Sequence, residues 1–219
     1  QFGEADVHGA VEIGAVVANC ARTDRPDGLF TTVVTDELGV ALGLVYSSPG
    51  SLVTSVRCGR GVYFSRSRSG LWRKGDTSGA WQSLLALRLD CDSDAVLARV
   101  IQHGEPPSFC HTGARTCWLE NQGIGALERT LTARRKSAPP GSYTKRLFED
   151  PTLLRNKLVE EAQELAEATD PDHIAAEAAD VIYFALVRCA AAGVPLMHAE
   201  KHLHRRTLAV RRRKGDSKK

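Results

Sequence analysis

Three carboxylates at alternate positions, Asp90, Asp92 and Asp94, frame the segment Asp90-Cys91-Asp92-Ser93-Asp94. On an extended segment alternate side chains point to one side, so these acids would offer oxygen donors to one hard cation such as Mg²⁺. Without a cation they would repel one another, and an exposed acidic turn is the other reading of the same residues. The glycine and distal glutamate of an EF-hand loop are missing. Cys91 belongs to a second potential set, because Cys110 and Cys117 follow in the segment Phe109 to Cys117. Three thiolates with an open fourth position suit catalytic zinc, which lowers the pKa of a bound water to about 7. The spacing is not that of a CxxC ribbon, so buried, inert thiols fit these cysteines as well. His111, beside Cys110, is a candidate proton shuttle, or a histidine that only supports a metal ligand.

A third group lies in Gly61 to Gly79, where hydroxyls, cations and glycines alternate beside aromatic residues. Arg66, Ser67, Arg68, Lys74, Thr77 and Ser78 can hold a phosphate through hydroxyls, guanidinium forks and backbone N–H groups. Trp72 offers a flat apolar surface to a base. Thr112 and Arg115 are further candidates for substrate contact. A solvated basic loop would look much the same.

The fourth group is acidic and helical. Glu161 and Glu164 are three residues apart, as are Glu177 and Asp180, so each pair projects from one helical face. Glu161 shares a stripe with Leu154, Leu158 and Leu165, and Glu177 lies between Ile174 and Val181. Both acids are therefore expected to face a bundle interior, where unpaired carboxylates would cost several kcal/mol each and a cation is the economical partner. Glu160 and Glu167 turn to the flanks. Mg²⁺ on carboxylates commonly binds substrate phosphates and keeps waters, one of which can act as nucleophile. Lys157 and the Arg211–Lys214 cluster are candidates to neutralise those phosphates.

Two kinds of architecture must position these groups. Short β-branched or apolar runs at Phe30–Thr35, Val40–Ser47, Gly61–Ser65, Leu84–Asp90 and Ala95–Ile101 predict strands, with one short helix over Ser51–Cys58. Gly123–Lys136 and then Asp150 onward read as helices dominated by Ala, Leu, Glu and Arg, and breaks at 138–141, 170–171 and 193–195 divide the region into about four helices. The expected fold is therefore multidomain: an α+β, β-rich unit over residues 1–120, with its motifs in 27–118, and an all-α helical bundle over 121–219.

Composition sets the outer bounds. A chain of 219 residues accommodates one large domain or two modest ones, and 42% hydrophobic with 25% charged residues is ordinary for a globular protein. Residues 205–219 carry eight cations against Asp216, +7, which leaves −4 elsewhere in a chain of net +3. Such a tail suits nucleic acid, a phosphorylated small molecule, or nothing beyond solvent. Six cysteines spread over this length point to a reducing compartment rather than a disulfide framework, and a cytoplasmic location follows. No apolar stretch approaches the span of a membrane, so no membrane partner is expected.

The motifs Ser65-Arg66-Ser67-Arg68, Leu71-Trp72, Lys74-Gly75-Asp76-Thr77-Ser78-Gly79, Asp90–Asp94 and Cys110-His111-Thr112-Gly113 with Cys117 together resemble phosphoribosyl-AMP cyclohydrolase. The resemblance implies zinc on Cys91, Cys110 and Cys117, Mg²⁺ on Asp90, Asp92 and Asp94, and a homodimer whose subunits share the zinc site. It implies addition of water to carbon 6 of the purine of phosphoribosyl-AMP and opening of the ring at nitrogen 1. The stretch Glu105-Pro106-Pro107-Ser108 reads as an insertion relative to the bacterial pattern.

The segments Lys157 to Leu165, Glu177-Ala178-Ala179-Asp180 and Arg212-Arg213-Lys214-Gly215 resemble the all-α phosphoribosyl-ATP pyrophosphohydrolases. That implies Mg²⁺ on Glu161, Glu164, Glu177 and Asp180, and cleavage between the α and β phosphates of phosphoribosyl-ATP. The product of the second unit would be the substrate of the first. In fungal proteins such a pair commonly precedes a histidinol dehydrogenase domain. Two rival readings stand beside this one: a general nucleotide pyrophosphatase, and a zinc-containing nucleic-acid-binding protein. Inward-facing acids argue against the second.

Overall fold

The computed structural model describes residues 13–118 and 122–208. The basic cluster Arg211–Lys214 and the Arg212–Gly215 motif lie outside these residues, as does most of the expected boundary near 120–122. The chain divides into two compact units, one before and one after residues 121/122.

The first unit is a six-stranded sheet with two helices. Its strands are β1 (Phe30–Thr35), β2 (Ala41–Ser47), β3 (Val62–Ser65), β4 (Gly70–Arg73), β5 (Gln82–Leu89) and β6 (Ala95–Gln102), in the order β4-β3-β2-β1-β6-β5. Only β1 and β6 run parallel; the other neighbours are antiparallel. A helical segment at residues 13–20, α1, and α2 (Pro49–Cys58) accompany the sheet. α2 starts two residues before the expected Ser51 because Ser48 and Ser51 form a reciprocal capping box around Pro49, whose missing N–H is no loss in the first turn. Gly59, at φ 64°, ends it in the left-handed conformation that favours glycine.

β4 is an addition to the five strands expected from the sequence. Four residues, Gly70–Arg73, pair with β3 from Val62↔Arg73 to Ser65↔Gly70 and so fix Trp72 opposite Tyr63. The main core joins Val34, Leu42, Val45, Tyr63, Ala98, Val100 and Phe109; a second cluster gathers Ala18, Phe30, Leu52 and Val96.

The second unit contains five helices among the described residues: α3 (Gly123–Ser137), α4 (Tyr143–Glu149), α5 (Pro151–Glu167), α6 (Pro171–Ala192) and α7 (Leu196–Thr207). The extra helix, against about four expected, is α4, which lies ahead of the helix start expected at Asp150 and ends where Asp150-Pro151 opens α5. The Asp150 carboxylate caps the N–H groups of Thr152 and Leu153 at 3.0 and 2.9 Å, and Pro151 occupies the first position of α5, so a continuous helix is impossible there. Asp170 and Pro171 repeat the device at α6, with Gly193 at φ 69° closing it. Leu131, Leu147, Leu154, Phe184, Leu186, Val187 and Ala190 form the bundle core.

One close approach links the sheet to the chemistry. A Cβ on Gly43 of β2 would meet the Phe109 ring at 2.2 Å and the Cys117 sulfur at 2.9 Å. Glycine is needed here because the segment carrying the cysteines lies directly on the strand. The Gly43→Ala variant is expected to lose about 1–3 kcal/mol of stability through overpacking, seen as a lower melting temperature. An unchanged melt would contradict this close packing.

Candidate functional site

In the first unit a cavity of about 580 Å³ is lined by residues of β2, β4, the 74–78 loop and the cysteine segment, among them Arg68, Trp72, Lys74, Thr77, Ser78 and His111, with Cys110 and Cys117. Sequence reasoning missed Leu44, Val45, Gly75, Ser108, Phe109 and Gly113 as wall residues. Gly75 and Gly113 stood inside the quoted motifs without a role, and the others were legible only as neighbours of motif residues, since an apolar wall looks like core in a sequence.

The two thiols line the same cavity and each perturbs the other's titration. The Thr112 hydroxyl donates to the Cys110 sulfur at 3.2 Å and draws that thiol below its ordinary pKa. Burial pushes the Cys117 thiol up, and Cys110 adds to the shift. Lys74 is 6% exposed, and its ammonium lies 5.6 Å from the centre of the Phe109 ring and 5.9 Å from that of Trp72. Burial lowers its pKa, while the charges of Cys117 and Cys110 act in the opposite sense. The His111 Nδ1 is 3.8 Å from the Cys110 sulfur.

Several expected contacts are already engaged elsewhere. Arg66 lies over the Tyr46 ring, 4.1 Å from its centre, and is absent from the cavity wall; Ser67 pairs with Ser65 at 3.3 Å. Arg115 binds the fully buried Asp36 carboxylate at 3.2 Å, with its own side chain only 11% exposed. This guanidinium anchors the cysteine segment to the turn after β1 rather than reaching into the cavity.

Cys91 does not join Cys110 and Cys117: among the described residues no three-donor group with ligand atoms mutually within 4.8 Å contains a cysteine. One chain therefore presents two thiols on one cavity wall and a third, Cys91, that is not part of that wall. Asp90, Asp92 and Asp94 do form such a group, all exposed. They converge through a turn, with Ser93 at φ 70°, and not along the extended segment expected. Asp90 accepts from the Ala95 N–H at 3.0 Å, which leads in lowering its pKa, while its hydrogen bond to Asp94 and the charges of Asp92 and Asp90 raise that of Asp94. Three hard oxygen donors under mutual repulsion fit a divalent cation.

The helical unit brings Glu161, Glu177 and Asp180 within 4.8 Å of one another. Glu161 is 6% exposed; Asp180 is exposed, and so is Ile174, at 39%, against the expected interior stripe on α6. Glu164 stands outside the trio, its pKa raised by desolvation and by the charges of Glu177, Glu161 and Glu160. His173 Nε2 meets Glu177 Oε1 at 3.1 Å, but the buried Oε2 of Glu177 has no hydrogen-bond partner. An orphaned carboxylate oxygen beside two further acids fits a bound cation well. Lys157 is not turned toward an open phosphate site: its ammonium contacts Glu161 at 2.8 Å and Glu160 at 2.9 Å.

Comparison with known proteins agrees with this division. Residues 43–119 match the family model of phosphoribosyl-AMP cyclohydrolase and residues 124–207 that of phosphoribosyl-ATP pyrophosphohydrolase. The chain is 54% identical over 206 residues to a histidine biosynthesis trifunctional protein of Komagataella pastoris, covering 94% of this chain and 24% of that one. It is 50% identical to the bifunctional protein his7 of Schizosaccharomyces pombe, covering 90% of this chain and 47% of the relative. It is 37% identical to the bifunctional protein HisIE of Thermus thermophilus, covering 76% and 83%. The chain thus spans a quarter to a half of the first two relatives and most of the third.

If Arg115 is an anchor, Arg115→Ala should destabilise the fold by about 2–4 kcal/mol, because it strips a charge partner from a buried carboxylate. Chemical denaturation measures this. A fully stable variant with impaired substrate affinity would return Arg115 to the binding residues.

Proposed function

The chain belongs to the family of histidine-biosynthesis bifunctional proteins, which join a phosphoribosyl-AMP cyclohydrolase to a phosphoribosyl-ATP pyrophosphohydrolase, and from that premise we propose that its two units catalyse consecutive hydrolyses. The helical unit splits phosphoribosyl-ATP with water into phosphoribosyl-AMP and pyrophosphate. The sheet unit then adds water across the carbon 6–nitrogen 1 bond of the purine, with oxygen going to carbon and a proton to nitrogen as the ring opens. The catalytic order runs against the order along the chain.

The observation that carries this reading is the convergence of Glu161, Glu177 and Asp180, with the unpartnered Glu177 oxygen among them. Carboxylates so placed would hold Mg²⁺, which supplies neutralisation of the polyphosphate charge and a polarised water. Glu164, beside the trio, is positioned to bind through a retained water or to accept its proton.

In the sheet unit Arg68, Lys74, Thr77 and Ser78 supply cations and hydroxyls for the phosphate, and Trp72 gives the purine a flat wall. His111, at the cavity rim, is placed to move a proton between the attacking water and the opening ring. Zinc on Cys91, Cys110 and Cys117 would supply a water ionised near neutral pH, and Mg²⁺ would occupy Asp90, Asp92 and Asp94. Two of the three thiols are adjacent within one chain and Cys91 is not, so a complete zinc site calls for Cys91 of a second copy, which supports a homodimer. The free cysteines suit a cytoplasmic setting. In this reading both substrates are small phosphorylated nucleotides, with no role for nucleic acid or a membrane.

Incubation with phosphoribosyl-ATP, Mg²⁺ and Zn²⁺, followed by chromatography and mass analysis, should show pyrophosphate and then the ring-opened nucleotide. Turnover of ordinary nucleoside triphosphates at equal efficiency would favour a general pyrophosphatase. The activities should be separable. Glu177→Gln with Asp180→Asn should slow pyrophosphate release by about 100-fold or more while sparing ring opening of supplied phosphoribosyl-AMP. Cys110→Ser should lose zinc and do the converse, so that phosphoribosyl-AMP accumulates. Loss of both activities in either folded variant would replace two sites with one composite site.

A further inference from the structure

The acid cluster of the helical unit contains a cation of its own. Lys157 lies one turn before Glu160 and Glu161 on α5, and this spacing delivers its ammonium to both carboxylates, at 2.9 and 2.8 Å. The Phe184 ring, itself 4% exposed, has its centre 5.9 Å from the ammonium. The Glu161 side chain is 8% exposed, so water screens this pair poorly, in contrast to the half-exposed Glu160.

The surrounding charges are lopsided. Glu161 on α5 converges with Glu177 and Asp180 on α6, with Glu160 and Glu164 near by, and among the described residues the cations paired with these acids are Lys157 and, when protonated, His173 on Glu177. Lys157 is thus engaged with the most buried acid of the trio, while Glu177 keeps one oxygen without a partner. A divalent cation bound to Glu161 at about 2.1 Å would share that carboxylate with the ammonium. Two positive centres a few ångströms apart on the one buried carboxylate of the cluster repel each other.

We propose that Lys157 is a resident counter-ion of the cation site, which holds Glu161 in place when no cation is bound and whose displacement sets the affinity for the divalent ion. The proposal rests on the metal reading of the pyrophosphohydrolase site given above. It assigns the lysine to the acids themselves and not, as its residue type alone suggests, to the substrate phosphates. An unpaired buried carboxylate destabilises a fold, so the same lysine guards the metal-free protein.

The test titrates Mg²⁺ alone into the isotopically labelled full chain and follows the amide signals of α5 and α6, which report this site separately from Asp90–Asp94. Lys157→Met should reach half-saturation at about tenfold lower Mg²⁺ and melt at a lower temperature without metal. Lys157→Arg, which keeps the charge, should stay near the parent value. A folded Lys157→Met that needs as much Mg²⁺ as the parent, or more, overturns the proposal. A second measurement needs no variant: the Lys157 Nζ signal of the parent chain should shift as Mg²⁺ saturates α5 and α6, and a signal unchanged at saturation also overturns it. If α5 and α6 respond to Mg²⁺ in no protein, the metal site itself is refuted, and the pyrophosphohydrolase reading falls with it.

Discussion

Like charges held close together in a folded chain must be neutralised, and in this protein that constraint explains more than any hydrophobic contact does. Asp90, Asp92 and Asp94 meet in one turn, and Glu161, Glu177 and Asp180 meet across two helices. Neither convergence favours folding by itself. Each persists because the surrounding elements are stable enough to impose it: the β5–β6 hairpin on one side, and the α5–α6 pair around Leu154, Phe184 and Val187 on the other. Stability generated in the cores is spent at the sites, leaving the acids poised for an external cation.

The two units solve the positioning problem differently. In the helical unit periodicity does the work, since residues three and four apart on α5 and α6 necessarily share a face, and caps at Asp150 and Asp170 set where each helix begins. In the sheet unit the cavity is assembled from segments far apart in sequence, and each joint is specific. Gly43 admits Phe109 against the strand, Arg115 reaches Asp36 across 79 residues, and the buried Tyr63 hydroxyl donates to Gln82, which bonds Gln102. This last chain ends on the backbone oxygens of Trp81 and His103, beside the loop that carries Lys74, Thr77 and Ser78.

What was legible in the sequence follows the same divide. Period-two and helical patterns located five strands, α2, α3 and the start of α5 to within two residues, because burial on one face leaves its mark on every residue of an element, whereas α1 and α4 were not expected. β4 escaped because four residues amid Ser and Arg show too little alternation, and α4 escaped because its seven residues span only two turns. The motif residues stood out by type and spacing, yet partners did not: that Arg115 serves Asp36, that Lys157 serves Glu161, and that Cys91 lies apart from Cys110 depend on three-dimensional contacts. The acidic turn misled in a smaller way, since alternation predicted a shared side on an extended segment and a left-handed Ser93 achieved the convergence instead.

The central claim is the proposal that each of the two acid clusters holds a cation. Paramagnetic broadening by Mn²⁺ in the labelled protein tests it most directly, because the effect falls steeply with distance from the bound ion. The account predicts selective loss of signals around residues 90–95 and around 157–181 at low Mn²⁺, reversed by excess Mg²⁺. Broadening confined to one cluster, or spread evenly over the exposed acids of the surface, would contradict it.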